Sequence, residues 1–341
     1  MATNELTHRE KEVLREVIHD FILTANPVAS KFIAKKMPEN LSPATIRHVM
    51  AQLEQLGYLN HPHTSAGRVP TDRGYRIYLD SLISLDELDD DDRAKISDGL
   101  NSSSDSGELL SEASKLLGKV SKQLSLVSAP YFGEATLTKL ELVPLNSCKI
   151  LVVISLESGL IRTIVLEIET EVSDERLRKI NSILNEKLSG LKLSEIRDTI
   201  IERVGDYAGE NVISRLASMG DKIFSATPET DKVHIGMPQG ILSQPEFDLP
   251  ENLKGILEIL GDENVILHIL EKTDKTESIT VKVGSENEEA KLKDYSLITA
   301  RYEVGAIKGT VGVVGPRRMQ YSRLIPLVDF VAKVISNKLS S

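Results

Sequence analysis

The sequence has no tryptophan, and phenylalanine and tyrosine supply only 4% of its 341 residues. Its hydrophobic cores must therefore be built mainly from aliphatic side chains. A single cysteine, Cys148, excludes a disulfide framework and a four-cysteine zinc site within one chain. No apolar run approaches the roughly 20 residues that a membrane-spanning helix requires, and the N-terminus has no secretory pattern. We expect a cytoplasmic protein with no membrane contact.

An excess of basic residues is also missing, because the net charge is −10. This charge argues weakly against nucleic acid as a partner, but it is unevenly spread. The first 80 residues balance to +1 and the remaining 261 to −11. Between positions 31 and 76, seven basic residues stand against three acidic ones. Because salt limits the reach of surface charge to about 8–10 Å, a locally basic module on an acidic body can still bind phosphate.

The length and composition predict a folded protein of two or three domains. Hydrophobic residues make up 40% of the chain, which is enough to form proper cores. Wholesale disorder is therefore excluded.

A capping box predicts the first helix. Thr7 is followed three residues later by Glu10, and the helix runs over about 7–24 until Asn26-Pro27 ends it. Its apolar positions form one stripe that we expect to be buried, namely Val13, Leu14, Val17, Ile18, Phe21 and Ile22.

Two further helices follow in the first 60 residues. The second is short, closes at Met37-Pro38, and is expected to direct Val28, Phe32 and Ile33 inward. The third begins at the cap Ser42, with Pro43 at its first position, and Gly57 provides its stop. Its inner face carries Ile46, Val49, Met50, Leu53 and Leu56.

A short strand and a turn-rich loop come next. The loop ends in Arg68-Val69-Pro70, and a capped helix begins at Thr71. Three helices followed by strand, loop and strand predict a winged helix-turn-helix over residues 1–85. This module places one helix in the major groove of DNA and a basic loop in the neighbouring groove.

An acidic run over 86–92 and a polar, Gly/Ser-rich stretch over 99–107 follow this module. The acidic run repels itself and duplex DNA alike, so it is typical of a linker or a solvated helix end. We therefore predict an acidic or polar linker over residues 86–106.

The rest of the chain predicts an α/β region that is interrupted by a helical segment. Strands are expected at 136–143, 149–156, 160–169, 232–236, 263–270, 277–283, 295–303 and 306–314. Helices are expected at about 107–125, through 173–225, and at about 248–261 and 319–339. An α/β core interrupted in this way indicates an inserted subdomain, so the whole chain is predicted to be an α+β multidomain protein.

One face of the third helix is the leading candidate for contact with bases. Ala44, Arg47, His48 and Ala51 share it by helical spacing, with Ser42 and Thr45 at the N-terminal end. An arginine can make the bidentate contact to guanine that is the commonest specific pairing. Ala44 and Ala51 would let the helix approach closely, and an ordinary surface helix is the alternative.

The loop before the fourth helix is the second candidate. Thr64 and Ser65 can donate hydrogen bonds to phosphates, and Arg68 can enter a narrow minor groove. A generic surface loop is the alternative. Lys35, Lys36, Arg73 and Arg76 are either phosphate contacts or plain solvated charges.

An enzyme is not indicated. The sequence contains no GxSxG, HExxH or P-loop motif, and Gly309, Gly312 and Gly315 do not form a dinucleotide-binding fingerprint. His61 and His63 have no third ligand at finger-like spacing, which disfavours a metal site. We therefore expect no catalytic residues, no metal and no cofactor.

Several motifs, taken in order, resemble the HrcA family of heat-inducible transcription repressors. In the N-terminal part they are Ala44-Thr45-Ile46-Arg47, Leu56-Gly57-Tyr58, the run from Pro62 to Pro70, and Gly74-Tyr75-Arg76. In the C-terminal part they are Ser296-Leu297-Ile298, Tyr302, Gly305, Gly309, Val313-Val314-Gly315-Pro316, Met319 and Tyr321.

The resemblance implies a homodimer that represses chaperone operons by binding double-stranded DNA at an inverted-repeat operator, the CIRCE element. It also implies a GAF-like domain, here 107–170 and 230–341, and an inserted dimerising domain at 171–229 that could start near 136. The GroEL chaperonin is the implied feedback partner.

The chain departs from the family pattern at three positions of the third helix. His48 stands where asparagine is usual, Gln52 where aspartate is common, and Pro43 where serine is common. The base contacts of the family therefore do not carry over at His48.

Two rival functions remain open. A winged-helix repressor could sense a small molecule in its GAF-like domain, which a roomy C-terminal pocket with convergent polar groups would favour. An enzyme fused to a DNA-binding domain would instead need a titratable pair in a cleft.

Overall fold

The computed structural model describes most of the chain. The described residues are 6–37, 41–62, 67–101, 105–168, 172–207, 209–225, 232–238, 244–248, 255, 257–258, 260–261, 265–266, 269–270 and 278–340. They form a mixed α/β fold, which confirms the coarse fold class that the sequence predicts.

Three helices and a two-stranded antiparallel sheet form the N-terminal module, followed by a fourth short helix. In chain order the elements are α1 (His8–Thr24), α2 (Ser30–Lys36), α3 (Pro43–Gln55), β1 (Leu59–Asn60), β2 (Val69–Pro70) and α4 (Asp72–Ile77). A π-helical turn, Tyr78–Leu82, continues α4.

Helix α1 begins at the capping box predicted from the sequence. The Thr7 hydroxyl accepts a hydrogen bond from the Glu10 amide at 3.3 Å, and the Glu10 carboxylate accepts one from the Thr7 amide at 2.8 Å. Its buried stripe consists of Val13, Leu14, Val17, Ile18 and Ile22. The helix prediction is confirmed.

Helix α2 differs from its prediction at one position. Phe32 was expected to point inward, but its side chain is 55% exposed. With only seven residues, α2 has a narrow buried side that Ser30 and Ile33 occupy. The Phe32 ring lies outside that side, with the Lys31 ammonium 5.5 Å from its centroid.

The remaining elements start with a helix in the acidic stretch. In chain order they are α5 (Asp90–Leu100), α6 (Ser106–Ser121), β3 (Leu124–Ser128), β4 (Leu137–Asn146), β5 (Lys149–Leu156), β6 (Ile161–Glu167), α7 (Asp174–Leu188), α8 (Leu193–Arg203), α9 (Asn211–Ser218), α10 (Gly220–Ile223), β7 (Val233–Gly236), β8 (Ile279–Val283), β9 (Tyr295–Val304), β10 (Ile307–Pro316) and α11 (Tyr321–Leu339).

Helix α5 occupies the stretch that the sequence predicted to be a linker. Asp89 accepts a hydrogen bond from the Asp91 amide at 3.0 Å, so acidic residues cap the helix and fill its first turn. Carboxylates are favourable there because the helix N-terminus carries partial positive charge. Ile96 and Leu100 are buried, and Arg323 on α11 pairs with Asp92 at 2.6 Å. The acidic run thus lies at the start of a helix.

A five-stranded antiparallel sheet forms the centre of the C-terminal part. Its strand order is β7-β3-β10-β9-β8. Helices α6 and α11 pack on one face, with Val311 and Val313 in their shared core. The opposite face carries Val314 and packs against apolar residues from the helical segment between β7 and β8.

Two local predictions in this region were wrong. The helix predicted at about 107–125 ends at Ser121, and a strand that was not predicted, β3, begins at Leu124. The run at 263–270 was predicted to be a strand, yet its described residues Val265, Ile266, Ile269 and Leu270 are helical. A short apolar run fits a buried strand and a buried helix equally well, and only its packing partner decides.

A second, three-stranded antiparallel sheet has the order β4-β5-β6. Its inner face forms a separate hydrophobic core with α7, α8, α9 and α10. Strands over 137–167 thus share a core with helices over 174–223. This packing favours a start of the inserted unit near 136 over a start at 171.

Two asparagines of α7 pair with the free edge of β4. The Asn185 side chain accepts from the Leu140 amide at 2.9 Å and donates to the Leu140 carbonyl at 2.7 Å. Asn181 makes the same pair with Leu142, at 2.9 and 3.3 Å. The two asparagines are four residues apart on the helix, and the leucines that they contact are two residues apart on the strand. Their side-chain amides make the hydrogen bonds that a neighbouring strand would otherwise make.

The N-terminal module docks on the five-stranded unit through α4. The Tyr75 and Tyr321 rings lie 6.0 Å apart, both buried. Asp72 pairs with Arg317 at 3.1 Å and accepts from the Ser285 amide at 2.9 Å. Gly284 has a φ of +53°, and a Cβ there would lie 2.3 Å from the Asp72 carboxylate. The turn after β8 therefore requires glycine for its backbone and for this close approach.

Arg76 strengthens the same contact. Its guanidinium donates to Glu286 at 2.8 Å and to the Val281 carbonyl at 2.7 Å. The hydrogen bonds that Arg76 donates to the Glu286 carboxylate raise the pKa of Arg76 above its usual value. This arginine serves to dock the module and is not a solvated charge.

Candidate nucleic-acid interface

Helix α3 starts with the cap that the sequence predicts. The Ser42 hydroxyl accepts a hydrogen bond from the Thr45 amide at 3.1 Å and shares another with the Thr45 hydroxyl at 2.9 Å. Pro43 occupies the first turn, where a missing N–H costs nothing. Both hydroxyls therefore lie at the N-terminal end of the helix.

One side of α3 is buried and fixes which side faces out. Ile46, Val49, Met50 and Leu53 form the buried side. Ala44, Arg47 and His48 are exposed on the opposite side, and Ala51 is half-buried there. The structure thus brings these four predicted residues together on one outward face.

Arg47 and His48 are available for a ligand. Within the part of the chain that the structure describes, neither side chain has a hydrogen bond or an ion pair. Lys35 on α2 is exposed and is likewise unpaired among the described residues. Lys36, in contrast, pairs with Asp20 on α1.

Arg68 is not free in this arrangement. Its guanidinium lies 2.8 Å from the Glu54 carboxylate and 2.8 Å from Nδ1 of His61, and its side chain is only 18% exposed. The guanidinium is therefore engaged within the N-terminal module, and its contact with a minor groove stays a prediction. Thr64 and Ser65, the other predicted contacts of the loop, lie outside the described residues.

Arg73 also turns inward. Its guanidinium stacks on the Tyr58 ring at 4.6 Å and donates to the Leu56 carbonyl at 2.9 Å. That carbonyl belongs to the C-terminal end of α3, where a cation is favourable. Arg73 therefore fastens the end of α3 to α4.

Gln52 is a candidate that the sequence interpretation passed over. It is exposed and lies four residues after His48, which places it on the same outward face. A glutamine amide can pair with adenine in the major groove. Helical spacing from His48 could have identified it.

The C-terminal part has a small concavity beside Asn287 and Leu292, and it offers little space for a small molecule. Its volume is about 20 Å³, and Lys282, Glu289 and Leu297 also line it. A cavity of this size holds about one water. It therefore gives no support to an effector site there.

Neither a membrane span nor a metal-binding cluster is found among the described residues. No helix among them is long and apolar enough to cross a bilayer. No cluster of three or more histidine, cysteine or acidic side chains suited to a metal ion occurs within the same ranges.

Comparisons with known proteins cover the full length. A family model described as "HrcA protein C terminal domain" matches residues 107–325. The heat-inducible transcription repressor HrcA of Chlorobium phaeobacteroides (strain BS1) is 37% identical over 352 aligned residues, with 100% of each chain covered. That of Prosthecochloris aestuarii is 38% identical over 354, with 100% of this chain and 99% of the relative covered.

A solved structure shares the fold. The crystal structure of a hypothetical protein at 2.2 Å resolution superposes with a TM-score of 0.62 at 22% identity. The match covers 98% of this chain and 99% of the other.

Proposed function

This chain belongs to the HrcA family of heat-inducible transcription repressors, and on that premise we propose that it represses chaperone operons as a homodimer on an inverted-repeat operator. The operator is the CIRCE element, by family resemblance, and the protein acts in the cytoplasm. Its family is one of repressors and is generally non-enzymatic.

The outward face of α3 is the observation that carries this proposal. Its buried side is fixed by four aliphatic residues, so Arg47 and His48 are presented to solvent without internal partners among the described residues. We assign base contact to Ala44, Arg47, His48 and Ala51, and phosphate contact to Ser42, Thr45 and Lys35. A winged helix-turn-helix over residues 1–85 would insert this face into the major groove.

The three-stranded sheet supports the homodimer. Val143, Leu151 and Val165 stand opposite one another on β4, β5 and β6, which makes an apolar row across its outer face. Val143 is 39% exposed and Val165 48%. Exposed apolar patches of this kind mark interaction surfaces. We assign this face of the inserted unit, from near 136 to 229, to contact with a second copy.

Two-fold symmetry links the dimer to the operator. A symmetric dimer presents two copies of α3, and an inverted repeat presents two copies of one half-site. Control by the GroEL chaperonin rests on the family resemblance alone: chaperonin would keep the repressor competent, and heat would divert it to unfolded clients.

Arg47→Ala tests the recognition face. Because a bidentate arginine contact to guanine contributes about 1–3 kcal/mol, operator binding should weaken roughly 5- to 150-fold and lose selectivity at one base pair of each half-site. The measurement is titration of a labelled inverted-repeat duplex and a scrambled duplex at one fixed salt concentration.

Arg178→Ala is the matched control, since it removes the same charge from an exposed position on α7. It should leave affinity unchanged. Equal affinity of the wild type for the inverted repeat and the scrambled duplex would refute the proposed function. A wild-type affinity and selectivity in Arg47→Ala would refute the assignment of α3.

A further inference from the structure

The base of the loop between β1 and β2 is fastened to the segment between α1 and α2. The Arg68 amide donates to the Val28 carbonyl, and the Val28 amide donates to the Arg68 carbonyl, both at 2.9 Å. Gly67 is buried against Pro27, where a Cβ would lie 2.6 Å from the Pro27 carbonyl carbon. The backbone at the C-terminal side of this loop therefore has a fixed position on the module.

The side chain of Arg68 makes a second connection, to α3. Its guanidinium contacts Glu54 at 2.8 Å and His61 at 2.8 Å. Glu54 lies in the last turn of α3, and its side chain is 33% exposed. The loop base is thus attached to the first helices through its backbone and to α3 through one ion pair.

The position of Glu54 on α3 gives this pair a consequence for DNA. Glu54 follows Arg47 by seven residues, so both lie on nearly the same side of the helix, about 10 Å apart along its axis. A free carboxylate there would repel the phosphate backbone. Pairing with Arg68 neutralises it.

We propose that Glu54 is a positioning residue that holds the base of the loop, Gly67 and Arg68, at a fixed position on α3 through Arg68, so that Arg68 itself does not read DNA. This inference rests on the proposed function, since the position of the loop base matters only if α3 enters a groove. Two elements that contact neighbouring grooves need a fixed mutual geometry, because disorder in either one would lower affinity.

Glu54→Gln distinguishes a positioning role from a purely electrostatic one, because the two roles predict opposite changes in operator affinity. Loss of a negative charge beside a DNA-facing helix should by itself strengthen binding. Loss of the Glu54–Arg68 ion pair should instead weaken operator binding roughly 10-fold, because a charge-assisted hydrogen bond is replaced by a weaker one. The measurement is the operator titration described above, at several salt concentrations.

Arg68→Ala and the double variant complete the cycle. If the ion pair positions the loop base, Arg68→Ala weakens binding, and in the Glu54→Gln background, where no free carboxylate remains, it causes no further loss and leaves the slope of log affinity against log salt unchanged. A direct phosphate contact would instead lower that slope by about 1 when Arg68 is removed. Tighter binding of Glu54→Gln, together with such a slope change, would overturn the proposal.

Hydrogen exchange in the free protein tests the role of the ion pair without DNA. In Glu54→Gln the Val28 and Arg68 amides should exchange about tenfold faster, since the loop base opens more often. Glu16→Gln is the matched control, because Glu16 pairs with its neighbour Arg15 on α1, away from the loop. Unchanged exchange in Glu54→Gln would overturn the proposal.

The two failures can be told apart. If the wild type does not prefer the inverted repeat, the proposed function fails, while the exchange rates still decide whether Glu54 holds the loop. If the wild type prefers the repeat and Glu54→Gln binds it as tightly, only the positioning role fails.

Discussion

The five-stranded and three-stranded sheets are both antiparallel, and they differ in how far their central strands are buried. In β10 all residues except Lys308 are buried, and β9 is nearly as enclosed. In β5 buried residues alternate with half-buried ones, and in β6 most outward residues are exposed. Layers of helix cover the first sheet on both faces and the second on one face. The central strands of the first sheet are therefore enclosed, whereas the second sheet keeps one face open to solvent.

The largest expected difference between the two sheets is the loss of stability when a strand side chain is truncated. Ile298 on β9 is fully buried and faces Val313 and Val281 across the neighbouring strands. Ile298→Ala should lower the free energy of unfolding by about 2–5 kcal/mol, because a cavity remains between covered layers. Urea unfolding followed by circular dichroism measures it. Leu151→Ala on the open face is the comparison and should cost about 1 kcal/mol or less; equal losses would mean that the sheets are equally enclosed.

A substitution on the outer face of the three-stranded sheet should weaken dimerisation and leave the stability of the fold largely unchanged. Val165→Lys puts a charge at the β6 end of the apolar row on the three-stranded sheet, at its most exposed valine, so it should raise the dimer dissociation constant about 30-fold or more. The fold should stay intact because Val165 faces outward. Sedimentation velocity over a concentration series measures the change. Leu85→Lys, at another exposed apolar position, serves as control; a dimer that survives Val165→Lys would place the interface elsewhere.

The smallest effect concerns the edge of the three-stranded sheet. Asn185→Ala removes both hydrogen bonds to the buried Leu140 and should cost about 1–2 kcal/mol. The Leu140 amide should also exchange faster with solvent. Thermal unfolding and hydrogen exchange measure these changes, with Lys179→Ala on the exposed side of α7 as control. Protection of the Leu140 amide that survives Asn185→Ala would show that the asparagine does not close the edge.

Local signals in the sequence predicted local structure well. The Thr7–Glu10 box, the Ser42 cap and the Gly57 stop each involve atoms within a few residues, and each is present in the structure. The strands at 137–146 and 295–304 were predicted because their side chains and turns follow a strand pattern. Such features depend on residues that are close in sequence, so the sequence alone is enough to predict them.

Side-chain contacts that depend on a distant partner could not be predicted from the sequence. Arg68 reads as a free basic residue, but Glu54 lies 14 positions away and holds it. Arg76 reads as a solvated charge, and its partner Glu286 is 210 positions away. Phe32 has an apolar side chain, yet α2 offers it no buried side. Of the candidate site, the outward face of α3 could be predicted, because one helix defines it; the inward-facing arginines could not.

The asparagine pair on α7 bears on how two copies can meet. Strands that join edge to edge lie about 4.8 Å apart and continue one sheet, whereas sheets that stack face to face lie about 10 Å apart. Asn181 and Asn185 end the sheet at β4 within its own chain. A strand from a second chain therefore could not extend the sheet at β4. Edge-to-edge lengthening of this sheet is therefore left to β6, which pairs with no further strand among the described residues.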